Sequence, residues 1–244
     1  MTALLYAEAL RPRREDGSEF AHALSLEAEP GRIICLVGPN GSGKTAYLRA
    51  LAGVDPAAGT LRLLGSEVAT LDTPAWRQLR CRVAFVSEGA PLLSVVDGIT
   101  NVTLPALYHR LGTRDAIRAQ AMELLDFLGY PGSREVLPAH LNQHQRLLLA
   151  IARCLMLSPE LIFLDEPFHM TDEECRKRES DIYRKLAHDR GLAVLVSTHN
   201  LGFVKRHAQD ILFIHPQGVQ HFASWDTFTN APLPVLQQFL HAAA

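Results

Sequence analysis

Short runs of apolar residues recur along this chain, and their length separates two kinds of element. Ile33 to Val37, entered through Pro30-Gly31-Arg32, carries no strongly polar side chain. So brief a continuous run predicts a strand buried on both faces. Leu161 to Leu164, Ala193 to Val196 and Ile211 to Ile214 have the same character, and Arg82 to Val86 is a further strand candidate. Between these runs the apolar residues recur at helical spacing. Tyr47, Leu48 and Leu51 mark one helix, stopped near Gly53 and Pro56. Ile117, Ala121, Leu124, Leu125 and Leu128 mark another, with Thr113 as N-cap and Gly129 as stop. Leu147, Leu148, Ile151 and Leu155 share one face of a third, which ends before Pro159. Thr171 and Glu174 have capping-box spacing ahead of a mostly polar helix. The polar stretch Arg11 to Gly17 predicts a turn between two short N-terminal strands.

Alternation of buried strands with helices predicts an α/β fold, a mainly parallel sheet wrapped by helices. The helix-rich block 89–157 falls between core strands, so it is expected as a helical subdomain inserted into a core formed by 1–88 and 158–244. At 244 residues and 48% hydrophobic, the chain supports one large domain with a full core.

Charge and cysteine content narrow the function. A formal net charge of -2 without a long basic run argues against broad electrostatic binding to nucleic acid. Cys35, Cys81, Cys154 and Cys175 show no CxxC pairing and are expected as free, mostly buried thiols of a reducing compartment. The apolar start at Met1 meets Glu8 too soon for a signal peptide, and no apolar stretch reaches the ~20 residues of a membrane helix. The expectation is a soluble, cytoplasmic protein whose contact with any membrane comes through a partner.

The chemistry begins at Gly38-Pro39-Asn40-Gly41-Ser42-Gly43-Lys44-Thr45, which matches G-x-x-x-x-G-K-[ST] between a strand and a helix. Glycines let backbone N–H groups turn inward around phosphates, and the helix N-terminus adds partial positive charge. Lys44 is expected at the β- and γ-phosphates of ATP, and the Thr45 hydroxyl on Mg²⁺. Asp165 and Glu166 end an apolar strand, which places them on the carboxyl edge where open α/β sheets bind ligands. Asp165 is the candidate Mg²⁺ ligand through water, and Glu166 the candidate base for an attacking water. By itself Asp-Glu-Pro also fits a helix cap; the upstream phosphate loop favours the catalytic reading. His199 follows another apolar strand directly and is the candidate γ-phosphate contact. The other histidines show no metal-like spacing.

These elements, in this order, resemble the ABC (ATP-binding cassette) ATPase family over nearly the whole chain. Gly38 to Thr45 resembles Walker A, Leu161 to Pro167 Walker B with its glutamate, Ser197-Thr198-His199 the switch histidine, and Phe168 to Asp172 stands in place of the D-loop. The resemblance implies a P-loop NTPase core with a small N-terminal antiparallel β subdomain and an inserted helical subdomain. It implies ATP hydrolysis coupled to a separate membrane permease, and a head-to-tail dimer in which each ATP lies between one chain's Walker A and the other's signature motif. That signature is altered here to Leu141-Asn142-Gln143-His144-Gln145, where the family has Leu-Ser-Gly-Gly-Gln. Asn142 and Gln145 are expected to serve the partner's nucleotide, while Gln143 and His144 add bulk where backbone should come close. Glu88 stands where the family's Q-loop glutamine contacts Mg²⁺ and the attacking water. No aromatic occupies the usual adenine-stacking place, so Arg13 or Arg14 is expected to stack instead.

Gly89-Ala90-Pro91-Leu92, Asn101 to Pro105 and the tail Pro232 to Leu240 most resemble bacterial lipid-transport ATPases of the maintenance-of-lipid-asymmetry type, which serve MCE proteins. That subfamily implies a homodimer on the cytoplasmic face of the inner membrane; a heterodimer with a second ATPase is the alternative. Two other functions compete. A regulatory or structural subunit that binds ATP but hydrolyses little would fit the altered signature. A DNA-repair or translation ATPase would need a long coiled coil or a second cassette, and neither is present in the sequence.

Overall fold

The structure is a computed structural model and describes residues 3–14, 16–168 and 173–242. The chain begins with β1 (Leu5–Pro12) and β2 (Leu24–Ala28), then enters β3 (Ile33–Val37) and helix α1 (Lys44–Leu51). β4 (Ala57–Leu63) and the short β5 (Ser66–Glu67) follow, and α2 (Thr73–Arg82) leads into β6 (Val83–Val86). Three helices come next: α3 (Gly98–Tyr108), α4 (Arg114–Phe127) and α5 (Gln143–Leu155). β7 (Leu161–Asp165), α6 (Glu173–His188), β8 (Ala193–Ser197), α7 (Leu201–His207) and β9 (Asp210–His215) continue the alternation. β10 (Gly218–Phe222), α8 (Trp225–Thr229) and α9 (Pro234–Ala242) close it.

Among the described residues the strands form two sheets. The larger has the order β10-β9-β3-β8-β7-β6, parallel throughout except for β10 at one edge. The smaller, β2-β1-β4-β5, is antiparallel. The core explains the continuous apolar runs. Ile33, Cys35 and Val37 of β3 share one core with Ile162, Leu164, Val194, Val196 and the apolar faces of α3 to α6. Ile34 and Leu36, with Leu161, Phe163, Ala193 and Leu195, face the other way, onto Tyr47, Leu48 and Leu51 of α1 and onto the smaller sheet. Because both faces are covered, every residue of β3, β7 and β8 is buried, and alternation of polarity disappears.

Two element boundaries differ from the expected ones. Arg11 and Pro12 belong to β1, opposite Ala58 and Ala57 of β4, rather than to a turn. A bulge at Ala9, whose φ is +52°, shifts the register there. The β-carbon of any residue replacing Gly59 would stand 2.4 Å from the Ala9 carbonyl oxygen. The smaller sheet exposes one face, so a polar side chain is no sign of a turn. At the other site α2 runs through Arg82, and the strand begins at Val83. Thr171 and most of the segment standing in place of the D-loop, His169 to Asp172, lie outside the described residues. Cys35 is buried, which pushes its thiol up, while Cys81 and Cys154 are free and half-buried.

The segment between β6 and α3 is held by one side chain. Asn101 is fully buried; it accepts from the Leu93 amide at 2.8 Å and donates to the Leu93 and Val96 carbonyls at 3.1 Å each. Thus the chain leaving Glu88 is pinned to the first turn of α3.

Candidate functional site

Four neighbouring strands of the larger sheet, β3, β8, β7 and β6, run parallel, so their carboxyl ends lie side by side. The phosphate loop leaves β3, His199 follows β8, Asp165 and Glu166 end β7, and Glu88 follows β6. Residues far apart in sequence therefore line one cleft of about 1070 Å³, with Gly38 to Gly41, Gly43 to Ala46, Glu88, Glu166 and His199 in its walls. Parallel strands carry the site to one edge as a matter of topology.

The loop from Gly38 to Gly43 needs its glycines. Gly41 and Gly43 have φ of +76° and +99°, which side chains avoid. At Gly38 a β-carbon would stand 2.0 Å from the Ile214 carbonyl oxygen. Within the loop Ser42 Oγ is buried without a hydrogen-bond partner among the described residues. A buried, unsatisfied hydroxyl is costly and calls for a missing acceptor or donor. Together with the N-terminus of α1, which follows at Gly43 and Lys44, it fits a phosphate group.

Lys44 donates to the carbonyls of Gly38 and Pro39 at 3.1 and 3.3 Å, and its ammonium is 3.4 Å from Glu166 Oε1. Its side chain is 7% exposed and that of Glu166 12%. Thr45 Oγ1 donates to Asp165 Oδ1 at 3.0 Å, which brings the two expected Mg²⁺ ligands together. Among the described residues no group of three or more His, Cys, Asp or Glu could hold a metal ion, so Mg²⁺ here would lean on the nucleotide's own oxygens. Glu88 lies in the wall of the same cleft; its side chain is exposed. His199 Nδ1 is 2.9 Å from Glu166 Oε2, so the expected base and the expected γ-phosphate contact meet directly.

Two residues have a part in the site that the sequence did not assign. Ser197 ends β8 beside Asp165; its hydroxyl donates to Asp165 Oδ1 at 2.5 Å and accepts from the Glu166 amide at 3.0 Å. It holds Glu166 in a left-handed conformation, φ +43°, that a carboxylate residue adopts only under constraint. The sequence named Ser197 beside the switch histidine but gave it no contact of its own. Phe20 is the second. Its ring lies against Gly43, where a β-carbon would stand 2.6 Å from it, and the Arg14 guanidinium sits 4.4 Å above its centroid. Arg14 also donates to the Glu19 carbonyl at 2.8 Å, whereas Arg13 turns toward Glu19 Oε1 at 3.8 Å.

Asn142 and Gln145 stand apart from this cleft, at the N-terminus of α5. They form a reciprocal capping box: Asn142 Oδ1 accepts from the Gln145 amide at 2.8 Å, and Gln145 Oε1 from the Asn142 amide at 3.0 Å. Asn142 is exposed while His144, one residue inside the helix, is turned inward. Asn200 caps α7 by accepting from the Phe203 amide at 3.1 Å.

Comparison with known proteins agrees with this geometry. Residues 21–169 match a family model described as ABC transporter. The macrolide export ATP-binding/permease protein of Escherichia coli K12 is 35% identical over 205 residues, covering 82% of this chain and 31% of the relative. The methionine import ATP-binding protein of Corynebacterium efficiens is 28% identical over 222 residues, covering 90% of this chain and 62% of the relative. This chain thus spans about a third of the exporter's length. A dimeric ATP-binding cassette bound to ADP and phosphate superposes with a TM-score of 0.81 at 21% identity, over 90% of this chain and 98% of the other. The cbiO1 component of a cbiONQ ABC transporter from Clostridium perfringens gives 0.83 at 18% identity, over 99% and 100%.

Proposed function

The chain belongs to the ABC transporter family, and on that premise we propose that it binds Mg-ATP, hydrolyses it and drives a separate membrane permease. One observation carries the reading. Lys44, Thr45, Glu166 and His199, drawn from three strand ends, line one cleft; Lys44 and His199 both meet Glu166, and Thr45 is hydrogen-bonded to Asp165. Lys44 and the loop amides hold the phosphates; Thr45 and Asp165 would hold Mg²⁺, which would supply neutralising positive charge to the phosphates. Glu166 orients an attacking water and takes its proton, and His199 steadies the γ-phosphate. Asn142 and Gln145, outside the cleft, serve the nucleotide of a second copy in a head-to-tail homodimer; a heterodimer is the alternative.

For the permease, the supporting surface is the helical block beside Glu88. Leu93, Val95, Leu104, Tyr108 and Leu111 are exposed along α3 and its flanking loops, with Val95 and Tyr108 at 85% and 80%. Exposed apolar residues so close together suit a protein partner. Among the described residues no helix is long and apolar enough to cross a membrane, so the chain would reach the cytoplasmic face of the inner membrane through that partner. Phospholipid is the finer reading of the cargo. It rests on the likeness of Asn101 to Pro105 and the tail to lipid-transport ATPases, while the relatives matched carry macrolides or methionine in their names. A permease gene beside an MCE-type gene is the observation that tests it.

Phosphate release by the purified chain, alone and with its permease in lipid vesicles, tests the main reading. Turnover that rises with the permease is expected. ATP binding without turnover in either setting would replace the reading with a regulatory ATP-binding subunit.

The adenine contact is assigned to Arg14, whose guanidinium sits 4.4 Å over the Phe20 ring beside the phosphate loop. Arg14→Ala is expected to weaken ATP by about tenfold, a stacking loss of ~1–2 kcal/mol, and to leave inorganic tripolyphosphate unaffected. Calorimetry with both ligands checks it; equal losses would show that Arg14 reads phosphate charge instead.

A further inference from the structure

We propose that His144 is a positioning residue: it ties the first turn of α5 to Glu179 on α6, and so couples the ATP site this chain completes on a second copy to its own Glu166. The coupling half rests on the function proposed above; the tie itself does not.

The sequence alone suggests that a histidine here obstructs, because it adds bulk at an interface. The structure turns it the other way. The His144 side chain is 11% exposed, and its Nδ1 lies 2.8 Å from Glu179 Oε1. Glu179 is fully buried. A buried carboxylate is tolerated only with good hydrogen bonds, and His144 supplies one of them. What it joins makes it more than a local bond. Tyr183, one turn further along α6, is fully buried, and its hydroxyl is pushed up by burial and then by the Glu179 charge. Phe168 packs edge-on against Tyr183, ring centroids 5.4 Å apart, and tilted against Phe203 at 4.8 Å. Phe168 stands two residues after Glu166. α6 therefore carries both contacts: Tyr183 packs against Phe168, two residues beyond Glu166, and Glu179, one turn before Tyr183, meets His144 at the first turn of α5. A shift of the β7 end on one side of the molecule has a stiff route to the helix end that faces the other ATP. Glycine at 144 would remove this route and take away the histidine from a buried carboxylate.

The test uses the full chain and two readouts. The first is hydrogen exchange of the amides of residues 141–147 without nucleotide. His144→Ala is expected to speed it by about tenfold or more. His144→Asn keeps an N–H near the place of Nδ1 and is expected to return it to wild type. Unchanged exchange in the alanine variant, or equal change in both, overturns the tie. The second readout is turnover of Mg-ATP beside calorimetric ATP affinity. His144→Ala is expected to lower kcat by roughly tenfold or more, with KM and affinity near wild type, because the chain's own Walker A is untouched; asparagine rescues kcat. If loss of the pair prevents folding, the apolar double variant His144→Leu with Glu179→Leu replaces it, and it is expected to keep the melting temperature while kcat stays low. A wild-type kcat in the double variant overturns the coupling. Absence of turnover in the wild-type chain would sink the proposed function and the coupling with it, while exchange still decides the tie.

Discussion

Lys44→Ala is expected to weaken Mg-ATP binding by about a hundredfold. The ammonium is nearly buried at the floor of the phosphate loop, aimed by the Gly38 and Pro39 carbonyls and 3.4 Å from Glu166. A hydrogen bond to a charged group is worth ~1.5–3 kcal/mol, and a phosphate facing this lysine would draw on that together with its charge. About 2.7 kcal/mol corresponds to that hundredfold change. Removal has a second consequence: Glu166 would lose the cation beside it, and two like charges, carboxylate and γ-phosphate, would then share the cleft. Both effects act against ATP. Isothermal calorimetry of wild type and variant, with circular dichroism to show that α1 still forms, decides the matter. An unchanged affinity in a folded variant would remove Lys44 from the site.

Glu166→Gln is expected to keep ATP affinity within a few fold and to reduce phosphate release by about 10²–10⁴-fold, the usual contribution of a positioned base. The amide has the same shape and keeps an oxygen for Lys44 or His199, but it takes no proton from water. The position itself is prepared: the Ser197 hydroxyl and carbonyl hold the Glu166 amide at 3.0 and 3.1 Å, and His199 steadies its other oxygen. Single-turnover phosphate release in the presence of Mg-ATP is the measurement. Turnover near wild type would mean that another group orients the water, and the reading of the β7 end would need revision.

These residues were legible in the sequence for a simple reason. Phosphate binding needs glycines with unusual φ, then a lysine, then a hydroxyl, all within one turn, so the whole device is local and its spacing is its signature. Asp165 and Glu166 were legible because an apolar strand ended on them. Ser197 was not, because a serine ending a strand says nothing until the neighbouring strand is known to be β7. Phe20 was missed because it approaches Gly43 across the chain, far from the loop in sequence. The direction of His144 was not legible for the same reason: its partner Glu179 lies 35 positions away. The hairpin boundary at Arg11 and the unanticipated α2, α7, α8 and α9 show a further limit, since short or half-exposed elements carry too few apolar turns to set a period.

Taken by itself, the sequence determined which segments are buried, that buried strands alternate with helices, and which short motif matches a phosphate loop. Each of these follows from solvation and backbone freedom, which act residue by residue. Only the tertiary structure decided the strand order β3-β8-β7-β6, and with it the meeting of Lys44, Asp165, Glu166 and His199. It also decided that Arg14 rests on Phe20 and that His144 faces inward to Glu179. Side-chain partners are chosen by the packing of whole elements, and the energy that fixes a contact is gained only when both of its ends have been brought into place.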